Sequence, residues 1–403
     1  MPTNHSAIDV NQAPNFDLIL KGGRVLDPSQ DIDAIADVAF VAGKVASIGP
    51  DLASPSAEVR DVSGKIVSPG FIDLHTHVYW GGTSLGVDAG SIARSSGVTT
   101  FVDAGSAGPG NYRGFLKHVI ETSEPRILAY LHVSFAGIFA FSRRVMVGES
   151  ANMRLISPLD AVEVARAHPQ TIVGIKVRVG RFASGDSGIA PLDIALQVAD
   201  QTGLPLMAHI DEPPPSYEDV IARLRPGDVL THCFRPFPNS PIAGDTRPRP
   251  AVIAARQRGV LFDIGHGMGS FSFEVARAML AAGFAPDTIS SDVHDLNREG
   301  PVFDQATTLT KFLALGMPLA EVVRATTSAP AAAINRPDLG TFSTRSAGDA
   351  TIFTLEPGMT ELLDSTGEIL VASERIRVDA VVMDGRYYRG SALELHAARA
   401  GGV

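Results

Sequence analysis

Cysteine is almost absent. Cys233 stands alone among 403 residues, so no internal disulfide framework can form, and a lone thiol suits a reducing compartment. Long apolar runs are missing as well. No stretch approaches the roughly 18 apolar residues that span a bilayer, and the polar opening MPTNHSAIDVNQAP lacks an apolar signal-peptide core. Positive charge is in short supply: 34 Lys and Arg face 44 Asp and Glu, for a net charge of −10. Without a Lys/Arg run, the counterion-release term behind nucleic-acid binding is lost, and so is attraction to an anionic membrane. The expectation is a soluble, cytoplasmic protein with neither nucleic acid nor membrane as partner. A homo-oligomer stays open.

What is present points to a large buried core with many tight turns: 45% apolar residues, only 19% charged, and 39 glycines. Phe16 to Val67 reads as short strands broken by turns, with turn signals at Gly43-Lys44 and Ser63-Gly64. DATIFTL (349–355) and DAVVMDGRYY (379–388) return to that style around an Asp-Gly turn. A small β-sandwich domain assembled from both chain ends, 1–68 plus 344–403, is expected. The middle, 69–343, has another rhythm. Eight apolar runs of strand length recur: FIDLHTH, VTTFVDAG, ILAYLHVS, TIVGIKVRV, LPLMAHI, GDVLTHC, GVLFDIG and TISSDVH. Segments with apolar residues at helical spacing separate many of them. Strands alternating with helices imply parallel strands joined by crossovers, and eight units is the count of a (β/α)8 TIM-type barrel. A doubly wound open sheet is the alternative, but no Gly-rich phosphate fingerprint follows the first run. The insertion FAGIFAFSRRVMVGESANMR after the third run should lie over the barrel mouth.

Polar residues collect at the C-terminal ends of these runs, where barrel enzymes gather their reactive groups. Run one carries His75 and His77, run four Lys176, run five His209, run six His232 and run eight Asp292. Side chains alternate along a strand. His75 and His77 therefore share a face with Asp73, opposite Ile72 and Leu74. In run four, Val173, Ile175, Val177 and Val179 should meet the outer helices, leaving Lys176 and Arg178 pointing into the mouth. A lysine buried there would tend to lose its proton. Beside two dications, a neutral amine can add carbon dioxide and become a bridging carbamate. Four imidazoles, that carbamate and an aspartate suffice for two divalent metal ions, zinc first, with manganese, iron or cobalt as alternatives.

These residues resemble the amidohydrolase superfamily of metal-dependent hydrolases. VSPGFIDLHTH, the lysine of GIKVR, LPLMAHI, GDVLTHC and SSDVH occur in that family's order and spacing, and the resemblance covers nearly the whole chain. DAGSAGPGNYRGF and FDIGHGMGSF are similar to its dihydroorotase-related amidohydrolase/deacetylase group. The resemblance implies that His75, His77 and Asp292 hold a buried ion, that His209 and His232 hold a more exposed one, and that carboxylated Lys176 bridges them.

A hydrolase of small amide or ester substrates is the expectation. Asp292 would take a proton from a water acidified by the two cations, then return it to the leaving atom. Arg178 could grip a substrate carboxylate with its fork, or pair with the carbamate or a neighbouring aspartate instead. His266, between glycines, is expected to touch substrate, and His294 to line the mouth or support the ligands. Ser106 and Tyr112 are weaker candidates, and His5, His118, His168 and His396 read as surface residues. Dihydroorotases place an arginine two residues after the second histidine. Here Tyr79 stands there, followed by Trp80. Aromatic groups at the mouth would suit an apolar or aryl portion, as in an N-acyl amino acid or an O-acyl hydroxy acid. A cyclic amide hydrolase of the dihydroorotase or hydantoinase kind is the alternative.

Overall fold

The computed structural model describes residues 15–244 and 246–390; His5 and His396 lie outside them. Strands β1 (Leu18–Asp27), β2 (Ile32–Val41), β3 (Lys44–Gly49), β4 (Glu58–Asp61) and β5 (Ile66–Pro69) come from the N-terminal part. They form one sheet with β13 (Ala350–Leu363), β14 (Ile369–Met383) and β15 (Arg386–Arg389), in the order β15-β14-β13-β5-β1-β2-β3, with β4 paired to β1. Its turns follow the residue types. Ala42-Gly43 and Asp384-Gly385 both have positive φ at both positions, as the tightest hairpin turns demand. The segment leading into β13 ties β3 and its turn to the turn between β14 and β15. Val45 N donates to the Ser346 carbonyl, Gly348 N to that of Gly43, and Gly385 N to that of Gly348. Leu18, Leu20, Val38, Phe40, Ile352, Ala380 and Val382 make an apolar core drawn from both chain ends.

Gly70 separates β5 from the first barrel strand. A Cβ there would collide with Thr99 and Asp349, so the chain passes at a glycine because nothing larger fits. Seven parallel strands follow: β6 (Phe71–Thr76), β7 (Val98–Ala104), β8 (Arg126–His132), β9 (Ile172–Val179), β10 (Leu206–Ile210), β11 (Val229–Leu230) and β12 (Leu261–Phe262), neighbours in chain order. The eighth run closes the ring by single bridges rather than a full ladder. Thr288 pairs with Asp263 and Val293 with Thr76, while Asp292 N donates to the His75 carbonyl at 2.7 Å and His77 N to that of Val293 at 3.0 Å. The result is a TIM-like barrel beside a small β-sandwich.

Ile175, Val177 and Val179 pack with Leu192, Ala195 and Val198 of the helix Ala190–Thr202, as alternation requires. Val173, Ile72 and Leu74 do not pack with them. They join Leu128, Tyr130 and Met207, with Ala331 and Ile334. Leu128 and Tyr130 precede His132, and Met207 precedes His209, on the same strand faces, so this core underlies the site. Strict alternation misplaces Val173, Ile72 and Leu74 because register shifts fall in β6–β7 at Phe71/Ile72 and Asp73/Thr76, and in β8–β9 at Ala129/Tyr130.

Candidate metal centre and active site

At the C-terminal ends of the barrel strands, His75 Nε2 lies 3.4 Å and His77 Nε2 3.2 Å from Asp292 Oδ1. One donor atom from each of the three falls within 4.8 Å of the others, and all three residues are buried. Lys176 Nζ is 3.5 Å from His75 Nε2, and Lys176 is 0% exposed. His232 continues the cluster, its ring 5.1 Å from that of His75 and 4.5 Å from that of His209. The structure thus brings together all six residues expected to hold metal. Two donor atoms, His209 Nε2 and Asp292 Oδ1, are buried without a hydrogen-bond partner. Such atoms carry a desolvation cost that a bound cation would offset. The donor set fits divalent ions of the zinc type.

Three of the candidate ligands, His75, His77 and His232, are aimed from behind. Thr231 Oγ1 donates to Asp263 Oδ2 at 2.8 Å and so accepts from His75 Nδ1 at 2.7 Å. His232 Nδ1 donates to the Gly265 carbonyl at 2.6 Å, and His77 Nδ1 meets Ser106 Oγ at 2.9 Å. With Nδ1 engaged, the Nε2 lone pair faces the cluster, the usual device for orienting metal-binding histidines. Burial pushes the imidazoles of His75, His209 and His232 well below their ordinary range, and that of His77 down to about 4. They are neutral at pH 7, the form that ligates. Burial also lowers Lys176 to about 7, against the pull of Asp292, and raises Asp292 to about 6. Burial thus favours the neutral amine of Lys176 over the ammonium.

Glycines make this packing feasible. A Cβ on Gly105 would sit 2.6 Å from Lys176 Cγ, one on Gly265 would lie 2.9 Å from His75 Nδ1 and 3.0 Å from His232 Nδ1, and one on Gly267 would collide with Asp292 Oδ2. All three have positive φ. The glycines flanking His266 thus admit the ligands, where the sequence suggested room for substrate.

The other expected contacts divide. Arg178 faces the mouth beneath the insertion: its NH1 is 3.4 Å from Glu149 Oε2, and its guanidinium lies 5.2 Å from the centre of the Phe141 ring. His294 also lines this region, its ring 6.1 Å from that of His77 and 6.2 Å from that of Phe141. Ser106 serves His77. His266 is turned away and fully buried. Its Nε2 is 2.7 Å from Lys311 Nζ and its ring 4.6 Å from that of Phe271, because the chain reverses around it at two positive-φ glycines. Tyr79 is not a mouth residue either. Its ring packs on Phe115 at 4.6 Å and its hydroxyl donates to the Asn111 carbonyl, since Gly82 and Gly114 leave space beneath it. Trp80, by contrast, is 61% exposed. Tyr112 is buried, hydrogen-bonded to Thr171.

Three further residues went unnoticed in the sequence. His132 ends β8 on the Tyr130 face, and its Nε2 is 3.2 Å from Glu149 Oε1. Alternation along ILAYLHVS could have found it. Glu149, buried in the insertion, and Lys311, buried in the helix Gln305–Ala314, carry no local signal of their placement.

No protein-family model matches the chain. It is 38% identical over 333 residues to a deacetylase of Agrobacterium fabrum, covering 81% of this chain and 80% of that protein. It is 32% identical over 378 residues to a deacetylase of Enterococcus faecalis, covering 93% of this chain and 99% of that one. Among solved structures, one described as a dihydroorotase superposes with a TM-score of 0.85 at 32% identity, over 93% of this chain and 99% of that one. With this donor set at a barrel mouth, and with similarity running nearly end to end, the chain belongs to the amidohydrolase superfamily.

Proposed function

We propose that this protein is a binuclear-metal hydrolase that deacylates N-acyl amino acids or O-acyl hydroxy acids. One observation carries the reading: four neutral imidazoles, a carboxylate of raised pKa and a buried amine converge at one mouth. Two divalent ions held there, zinc by preference, would supply a water of lowered pKa and a Lewis acid for the scissile carbonyl. His75, His77 and Asp292 would hold one, His209 and His232 the other, and Lys176 as its carbamate would give an oxygen to each. Asp292 Oδ1, buried with no hydrogen-bond partner, would take the proton of the attacking water and deliver it to the leaving nitrogen or oxygen. Arg178 has one N–H in reach of Glu149, while its Nε is buried without a partner. That second edge would receive a substrate carboxylate. The names of the two relatives support deacetylation.

The alternative, cyclic amide hydrolysis, is favoured by the solved structure described as a dihydroorotase and opposed by Tyr79, which is packed on Phe115 where an arginine would be needed. Assaying the zinc-loaded enzyme on N-acetyl amino acids and O-acetyl hydroxy acids of both hands, beside dihydroorotate, separates the two. Turnover of the acyl compounds supports this reading; turnover of dihydroorotate alone overturns it.

A further inference from the structure

Lys311 is the second fully buried lysine of the structure, and no ion pair reaches it among the described residues. Asp304 and Asp364 influence its charge, but they are spent elsewhere. Asp304 Oδ1 accepts from Thr307 N at the start of the helix Gln305–Ala314, and Asp364 accepts from the backbone of Phe273, Thr366 and Glu368. A buried amine without a carboxylate is a costly choice where a methionine would fill the space. Its two contacts show what it does. Nζ donates to the Pro301 carbonyl at 2.8 Å and to His266 Nε2 at 2.7 Å. An accepting Nε2 forces the proton onto Nδ1, which donates to the Gly267 carbonyl at 2.9 Å.

His266 is the centre of the three-residue segment Gly265-His266-Gly267, and both neighbours press on the metal centre. The Gly265 carbonyl orients His232, and its Cα packs against His75; Gly267 packs against Asp292. The segment is held from the barrel side by Gly265 N to Ser290 Oγ, His266 N to the Ser290 carbonyl and Gly267 N to the Ser291 carbonyl. Its other side depends on the His266 ring.

We propose that Lys311 is a positioning residue which, by fixing the tautomer and rotamer of His266, holds the Gly265–Gly267 segment against His75, His232 and Asp292 and so sets the affinity of the centre for metal. The inference rests on the reading that these residues hold metal, though not on the choice of substrate.

The test is zinc affinity, measured by competition with a chromophoric chelator on folded Lys311→Met, His266→Phe and the double variant. Outer partners of metal ligands typically contribute 10- to 100-fold in affinity. Each single variant is expected to weaken zinc binding by about that factor, and the double variant to be no weaker than either, because the pair acts as one unit. In parent protein the His232 Nδ1–H proton should give a sharp NMR signal that broadens or shifts in Lys311→Met. A lysine serving only as fold support would lower the melting temperature and leave both readouts unchanged. Zinc affinity within twofold of the parent in folded Lys311→Met overturns the proposal. If that variant does not fold, Lys311→Gln, which keeps an N–H donor at shorter reach, carries the same comparison: intermediate weakening supports the proposal and parental affinity overturns it. Neither readout uses a substrate, so absence of deacylase turnover in an enzyme with normal zinc dependence would count against the proposed function alone.

Discussion

At Lys176 burial sets the reactivity of the amine. Desolvation brings the amine to about 7, so its neutral, carbon-dioxide-reactive form dominates above that pH and falls about tenfold per unit below it. Zinc uptake by metal-free protein supplied with bicarbonate should therefore slow about tenfold between pH 6 and pH 5. Uptake that is flat across that range would show that the carbamate is not part of assembly. Asp292 gives a second prediction. Asp292→Asn keeps a ligating oxygen but cannot take the water's proton, so zinc content should stay near parental while kcat falls about 10²- to 10⁴-fold. Loss of zinc along with activity would make Asp292 a ligand alone. At this scale the six candidate residues that the structure brings together were legible because each is a polar group in or at the end of an apolar run. Tyr79 and His266 misled because nothing in the local sequence says whether a ring beside glycines turns toward the mouth or under the loop. Glycine vacancies on the far side, filled by Tyr79 at Gly82 and Gly114, decided the first. The buried Lys311, 45 residues away, decided the second.

The loops after the strands are the elements that turn a barrel into a site. Gly265-His266-Gly267 is one of them, with positive φ at both glycines. Gly267→Ala would suffer both backbone strain and a collision with Asp292, and zinc affinity should fall by at least about tenfold. Gly269→Ala, with nothing within 4 Å of its Cβ and no positive φ, should bind zinc like the parent. Equal affinities in the two variants would mean that the segment does not shape the centre. The insertion after β8 is another such element. Phe141 pairs with Met146 in a hairpin, and Ser84 Oγ ties the Phe139 and Phe141 carbonyls to the loop after β6. Its position over the mouth was readable from its length, since a long segment leaving the C-terminal end of a barrel strand has nowhere else to go. Its contribution of Glu149 to His132 and Arg178 was not, because that contact depends on the path of the hairpin. Strand alternation failed for Val173, Ile72 and Leu74 for a related reason: a register shift is set by neighbouring strands, and one residue of slip exchanges the two faces.

Across the whole molecule, the count of eight apolar runs and the β-rich ends announced a barrel and a sandwich. The way the ring closes did not show. Two isolated bridges from the eighth run join β12 to β6, and the backbone bond from Asp292 to His75 is part of that closure. The candidate metal centre and barrel closure therefore share His75, His77 and Asp292, and if zinc binds there it should stabilise the whole fold. At zinc one hundred times its Kd the gain is about 2.7 kcal/mol, seen as a melting temperature that rises with zinc and returns with a chelator. A zinc-independent melting temperature would separate the centre from the fold. The most direct measurement is anomalous diffraction at the zinc edge from crystals of zinc-loaded protein. Two peaks are predicted, one in contact with His75, His77 and Asp292, the other with His209 and His232, with carbamate density on Lys176 between them. Density for an unmodified lysine and no peak among these side chains would contradict the account.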